Sequence, residues 1–212
     1  MNTPALDRHN ITGVILAGGR GTRMGGVDKG LQEFSGHPLV WHALQRLQPQ
    51  VGPVIINANR HLSLYQQWGM EVHPDPLEDF QGPLAGFLVG LQSARTSHVL
   101  TVPCDSPRFP LDLAARLGTA LHAESADIAM VSAPEVDRNG TPVLRAQPVF
   151  CLLAVHLQAS LRAFLASGER KIDRWTAQHR TVLVPFDAQQ DDPAAFANIN
   201  TLADLNTLTA AP

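Results

Sequence analysis

Six glycines lie between Gly18 and Gly30, and Arg20, Arg23 and Lys29 place three cations in the same stretch. Glycine has no Cβ, so the backbone N–H groups of such a loop can approach an anion closely. Arginine and lysine add charge-assisted hydrogen bonds to phosphate oxygens. In a chain of net charge −3 a basic, glycine-rich loop is a local anion site, suited to the polyphosphate of a nucleotide. Two familiar phosphate motifs do not describe it. G-x-G-x-x-G fails because Met24 stands where the third glycine belongs, and G-K-[ST] fails because Lys29 lies between Asp28 and Gly30. The second motif's hydroxyl, a Mg²⁺ ligand, is thus missing, and a metal needs a carboxylate from elsewhere. Asp105, in the P-C-D-S-P run from Pro103 to Pro107, is the supplier the sequence offers.

The elements that must position these groups follow from patterning. Ile11 to Ala17 is a short, branched, apolar run ending in glycines, which predicts a buried strand. Further strands are predicted over Val54–Ala58, Met70–His73, Ser97–Val102, Ala126–Val131, Val143–Leu144, Val149–Leu153 and Val182–Phe186. Apolar spacing predicts helices over Pro38–Leu47, His61–Trp68, residues 84–94, Pro110–Leu121, His156–Leu165 and Thr201–Leu208. Strands alternating with helices imply an α/β fold: a Rossmann-like, doubly wound, mostly parallel sheet with helices on both faces. In such a sheet the first strand lies beside the fourth, and ligands bind in the crevice beyond their C-terminal ends. The glycine loop follows the first strand and Asp105 follows the fourth, so both are expected at one crevice. Asn57 and Asp75 end or follow the second and third strands at the same edge, and Gly82 with Pro83 opens a helix whose N-terminus favours anions.

Composition narrows the class. The chain has 212 residues, 44% hydrophobic and 17% charged, enough for a large core in a single domain. Its net acidity and lack of a basic stripe exclude a nucleic-acid surface. The longest apolar run, Val149 to Val155, is far short of the ~20 residues of a membrane span. Cys104 and Cys151 are too few for a disulfide framework or a zinc centre, the histidines form no H-E-x-x-H, and Cys104 reads as a small buried filler. A protein of the reducing cytoplasm is expected, with no nucleic-acid and no membrane partner.

The motifs also carry a resemblance. L-A-G-G-R-G-T-R-M-G-G-V-D-K-G, from Leu16 to Gly30, resembles the signature loop of nucleotidyltransferases. Further matches follow in order: N-A-N-R at Asn57–Arg60, G-P-L-A-G at Gly82–Gly86, P-C-D-S-P, Q-P-V-F at Gln147–Phe150, G-E-R-K-I at Gly168–Ile172 and F-A-N-I-N-T at Phe196–Thr201. The set spans nearly the whole chain and resembles the molybdenum cofactor guanylyltransferase family, on a nucleotide-diphospho-sugar transferase-like fold.

That resemblance implies transfer of GMP from GTP to the terminal phosphate of molybdenum-molybdopterin, with release of pyrophosphate and dependence on Mg²⁺ (Mn²⁺ as a substitute). It assigns Leu16, Ala17, Gly18, Gly19, Lys29, Asn57, Asp75, Gly82 and Asp105 to the nucleotide. Arg23 and Lys29 become the phosphate-facing cations, and Asp105 the metal ligand. Arg145, Gln147, Pro148, Arg170, Lys171, Asn198 and Asn200 fall on the acceptor side. It divides the domain into a nucleotide half, about 11–107, and an acceptor half, about 108–209. Implied protein partners are the molybdenum-insertion protein and molybdoenzyme apoproteins or their chaperones. A cytidylyltransferase on the same cofactor, a sugar-phosphate nucleotidyltransferase, and a non-catalytic nucleotide-binding regulator or carrier are the alternatives. The cytidylyl relatives resemble L-A-A-G at the first turn, where this chain has Gly18-Gly19.

Overall fold

The computed structural model describes residues 6–19, 27–76 and 82–199. Arg23, Asn200 and the helix expected over Thr201–Leu208 lie outside the described residues. The central strand β1, Ile11–Leu16, is buried along its length because branched side chains project from both faces. It pairs in parallel with β4, Val54–Asn57, on one side and β6, His98–Pro103, on the other. A two-stranded hairpin, β2 (Glu33–Phe34) with β3 (His37–Pro38), precedes the first helix. Strand β5, Glu71–His73, extends the sheet beyond β4. Strands β7 (Ile128–Val136), β8 (Pro142–Ala154) and β9 (Thr181–Pro185) complete seven, in the order β5-β4-β1-β6-β8-β7-β9.

The period of two along the strands makes two cores. Ile11 and Ile15 point to one face, with helices α1 (Leu39–Leu47) and α4 (Leu113–Ala123). Val14 and Val99 point to the other, with α3 (Pro83–Ser93), α5 (Gln158–Ala166) and the short α6 (Ile172–Thr176). Helix α2, Leu62–Gln66, lies on the first face and buries Tyr65. Every residue of α3 from Leu84 to Leu91 is buried. Its Gly86 and Gly90 form the side turned to β1: a Cβ on Gly86 would overlap Leu16, and one on Gly90 would stand 2.7 Å from Val14 Cγ2. The helix backbone therefore lies directly on the sheet.

The strand-one to strand-four neighbourhood expected from sequence is observed, with Leu16 in register with Pro103. One expectation is corrected. Val143–Leu144 and Val149–Leu153 are parts of one thirteen-residue strand, β8, antiparallel to both β6 and β7. The polar stretch from Arg145 to Pro148 hides this continuity, because it belongs to an exposed arm with no second face to bury. Met130 pairs with Cys151 but Val131 with Gln147, so Pro148, Val149 and Phe150 bow out of the ladder. Thr101 Oγ1 donates to Val149 O at 2.7 Å and holds the bow against β6.

Candidate active site at the C-terminal edge of the sheet

Leu16, Asn57 and Pro103 stand level at the ends of three adjacent parallel strands. The ladder runs one step further: Ala17 N–H donates to Asn57 O (2.8 Å) and Cys104 N–H to Leu16 O (3.1 Å). Gly18–Gly19 and Asp105 thus leave the sheet side by side, at the same rim. Gly18 and Gly19 are accessible, and their N–H groups donate to nothing among the described residues. Lys29 reaches back to this rim and pairs with Asp105, Nζ to Oδ2 3.0 Å.

Lys29 is held from behind. The preceding Asp28 is 6% exposed. Its carboxylate accepts from the buried Tyr65 hydroxyl (2.5 Å) and contacts His61 Nδ1 (3.1 Å). Burial, reinforced by nearby acidic groups, raises the Tyr65 phenol well above its ordinary value, so it stays a donor. The Asp28 carbonyl closes the turn that follows, accepting from Leu31 N–H.

The β4 side of the rim is a network of amides. Asn57 Nδ2 donates to His73 O (3.2 Å) and to Asp75 Oδ1 (2.9 Å). Asn59 Nδ2 donates to Asp75 Oδ2 (2.7 Å) and to Gly18 O (3.0 Å), and Arg60 donates to Gly19 O (3.2 Å). Asn57 itself is 3% exposed, so it forms the floor beneath Gly18 and Gly86. Gly82 caps α3 with φ +77, a conformation suited to glycine, and the helix begins at this same rim.

On the far side, Ser106 Oγ donates to Asn198 Oδ1 (2.6 Å) and Ile199 N–H to Asp105 O (2.8 Å), bringing the 198–199 segment to Asp105. Because β8 is reversed, Arg145, Gln147 and Pro148 rise at the rim as well. Glu135 lies between the first two, 3.4 Å from Arg145 Nε and accepting from Gln147 Nε2 at 2.8 Å. Arg170 and Lys171 lie on the turn joining α5 to α6, where Arg170 donates to Leu165 O and Glu169 O.

Sequence reasoning missed Asp28 with Tyr65, Ser106 and Asn59. Only Asn59 carried a local signal: it stands two residues after Asn57, so both fall on one side of the chain as it leaves β4.

Among the described residues no three His, Cys, Asp or Glu side chains cluster as a metal cage. Mg²⁺ is commonly held by one or two carboxylates with phosphate oxygens and water. Asp105 fits that pattern, since its Oδ1 takes no bond from any described group. Cys104 is buried, and its thiol is pushed up by burial first and by Asp105 second, which disfavours the nucleophilic thiolate. No described helix is long and apolar enough to cross a membrane.

Comparisons with known proteins agree with this geometry. A family model described as the MobA-like NTP transferase domain matches residues 13–184. A molybdenum cofactor guanylyltransferase of an Acidovorax species is 62% identical over 204 residues, 96% of this chain and 97% of that protein. One from Albidiferax ferrireducens is 59% identical over 211 residues, 99% of each. Among solved structures, molybdopterin-guanine dinucleotide biosynthesis protein A of Archaeoglobus fulgidus superposes with a TM-score of 0.72 at 20% identity, covering 92% of this chain and 95% of its own. The 4-diphosphocytidyl-2C-methyl-D-erythritol synthase of Anaerococcus prevotii gives 0.71 at 14% identity, covering 96% and 98%. These two establish the shared fold, and the sequence relatives establish the family: the chain belongs to the MobA-like NTP transferases, the family of those molybdenum cofactor guanylyltransferases, and is a nucleotidyltransferase.

Proposed function

We propose that this enzyme transfers GMP from GTP to the terminal phosphate of molybdenum-molybdopterin, forming the guanine dinucleotide and releasing pyrophosphate. The observation that carries the reading is the meeting of Lys29 and Asp105 at 3.0 Å beside the Gly18–Gly19 turn, whose N–H groups donate to nothing among the described residues. A cation, a carboxylate and two backbone donors at one rim suit a polyphosphate that must be held and then split. The names of the close relatives supply guanine and the pterin acceptor.

In this reading an oxygen of the acceptor phosphate attacks the α-phosphorus of GTP, and the bond to the bridging oxygen of the β-phosphate breaks in line. No covalent enzyme intermediate is needed, so the protein's part is positioning and charge neutralisation. Leu16 and Ala17 end the strand that presents the turn. Gly18 and Gly19 donate backbone N–H groups to phosphate, and Gly82 brings the α3 N-terminus to the same anion. Arg23 and Lys29 neutralise the triphosphate and the departing pyrophosphate. Asp105 is the carboxylate that would hold Mg²⁺, which when bound spreads the negative charge developing on the phosphates. Asn57 and Asp75 form the floor for the nucleoside. Arg145, Gln147, Pro148, Arg170, Lys171, Asn198 and Asn200 are assigned to the acceptor. The nucleotide half spans about 11–107 and the acceptor half about 108–209.

The test is incubation of the protein with Mg²⁺, molybdenum-loaded molybdopterin and GTP or CTP in separate reactions. Stoichiometric pyrophosphate and guanine dinucleotide from GTP are expected. Product from CTP alone reassigns the base, and nucleotide binding without pyrophosphate reduces the protein to a carrier.

A further inference from the structure

We propose that Asn59 is a positioning residue, which locks the phosphate turn and Asp75 into one prearranged unit; the proposal rests on the guanylyl-transfer reading above. An asparagine side chain offers two N–H donors and one carbonyl oxygen. In Asn59 both donors are spent within the protein, on Gly18 O at 3.0 Å and on Asp75 Oδ2 at 2.7 Å. Its oxygen accepts from Asp75 N–H at 2.7 Å. No donor remains for a substrate, so Asn59 acts through what it holds.

What it holds lies on both sides of the crevice floor. C=O and N–H of a trans peptide point in opposite directions. Gripping Gly18 O therefore turns the N–H of Gly19 away from Asn59, and that N–H meets no described acceptor. Arg60 grips the next carbonyl, Gly19 O, from the same segment. On the other side, Asp75 is fixed at both oxygens and at its own N–H by Asn57 and Asn59. A carboxylate has about four lone-pair sites, so Asp75 still accepts from a ligand after both amides have bound it. Gly18 is small for the same reason: a Cβ there would lie 2.8 Å from Asn59 Nδ2 and force the clamp open.

Preorganisation of this kind removes an ordering cost from binding. Its loss is read in affinity for GTP more than in the chemical step. The experiment measures GTP binding calorimetrically with acceptor omitted, then steady-state kinetics with acceptor present. Asn59→Ala is expected to weaken GTP binding about tenfold. It leaves kcat at saturating GTP within about threefold of wild type. Asn59→Asp keeps the shape but sets lone pairs against Gly18 O and a negative charge against Asp75, so it weakens binding further than Asn59→Ala. A space-filling role gives the reverse order, with Asp milder than Ala, and that order overturns the proposal. Wild-type affinity in both variants overturns it as well. Melting temperatures establish that the variants fold, and Asn59→Ser replaces the alanine variant if that one does not. A wild-type protein that binds no GTP overturns the guanylyl reading itself, which separates the two failures.

Discussion

Lys29 and Asp105, 76 positions apart in the chain, meet across the mouth of the crevice at 3.0 Å. Their side chains are 23% and 16% exposed, so each charge has its counterpart while the rim remains open to a ligand. In the proposed guanylyl transfer, a triphosphate takes over Lys29 and frees Asp105 for other work. Lys29→Ala is expected to cost about 10²-fold or more in turnover at saturating GTP. If the two residues act as a unit, Lys29→Ala combined with Asp105→Asn falls little further than the worse single variant. Steady-state rates over a Mg²⁺ titration read both effects. Lys29→Ala turnover within about threefold of wild type removes the lysine from the mechanism.

Gly86 predicts an inverted helix rule. Glycine to alanine inside a helix ordinarily stabilises by about 1 kcal/mol. At Gly86 the new methyl group would overlap Leu16 and stand 2.5 Å from Asn57 Oδ1. Gly86→Ala is expected to destabilise by about 1–3 kcal/mol, measured by urea unfolding, and to weaken GTP binding by displacing Asn57.

Both thiols are buried, and burial raises each well above the ordinary range. Neither Cys104 nor Cys151 is expected to react with a disulfide-exchange reagent in the native protein, whereas both react in guanidinium. Rapid native modification of Cys104 would return it to the list of reactive groups.

Arg116 clamps Asp191 with two hydrogen bonds, 2.7 and 3.2 Å, while its guanidinium lies 3.6 Å over the Phe186 ring. The first of these influences, the Arg116 hydrogen bond, holds the Asp191 carboxyl below 3.8. The folded value is depressed, so the stabilisation is complete above 3.8 and is lost as pH falls through the lower folded value. Asp191→Asn is expected to cost about 2 kcal/mol near neutrality. Urea unfolding at successively lower pH should show the gap between the two proteins close.

Much of this arrangement was legible in the chain. The branched run of β1, the glycines after it and the P-C-D-S-P run after β6 sufficed to place Asp105 beside the turn, because a parallel sheet delivers strand ends to one edge. Asn57 and Asp75 were legible for the same reason. The hairpin of Glu33–Phe34 with His37–Pro38 and the five-residue α6 were missed, since neither is long enough to show a period. Asp28 was invisible as an anchor: its partner Tyr65 is 37 positions away, and nothing local distinguishes a gripped aspartate from a solvated one. Asn59 was passed over because its grip on Gly18 spans 41 positions.

Strand β8 opposes its neighbours in direction, and a strand laid that way starts where they finish. Past Ser132 and its partner Pro185, β9 falls away, and among the described residues 133–136 and 142–145 pair only with each other. Asp137 closes their tip by accepting from Asn139 and Thr141 N–H. The outer ribbon is therefore a cantilever: it can grow, shrink or change its side chains while every rung of the inner ladder stays in place. Substitutions along it leave untouched the strand ends that carry Gly18 and Asp105.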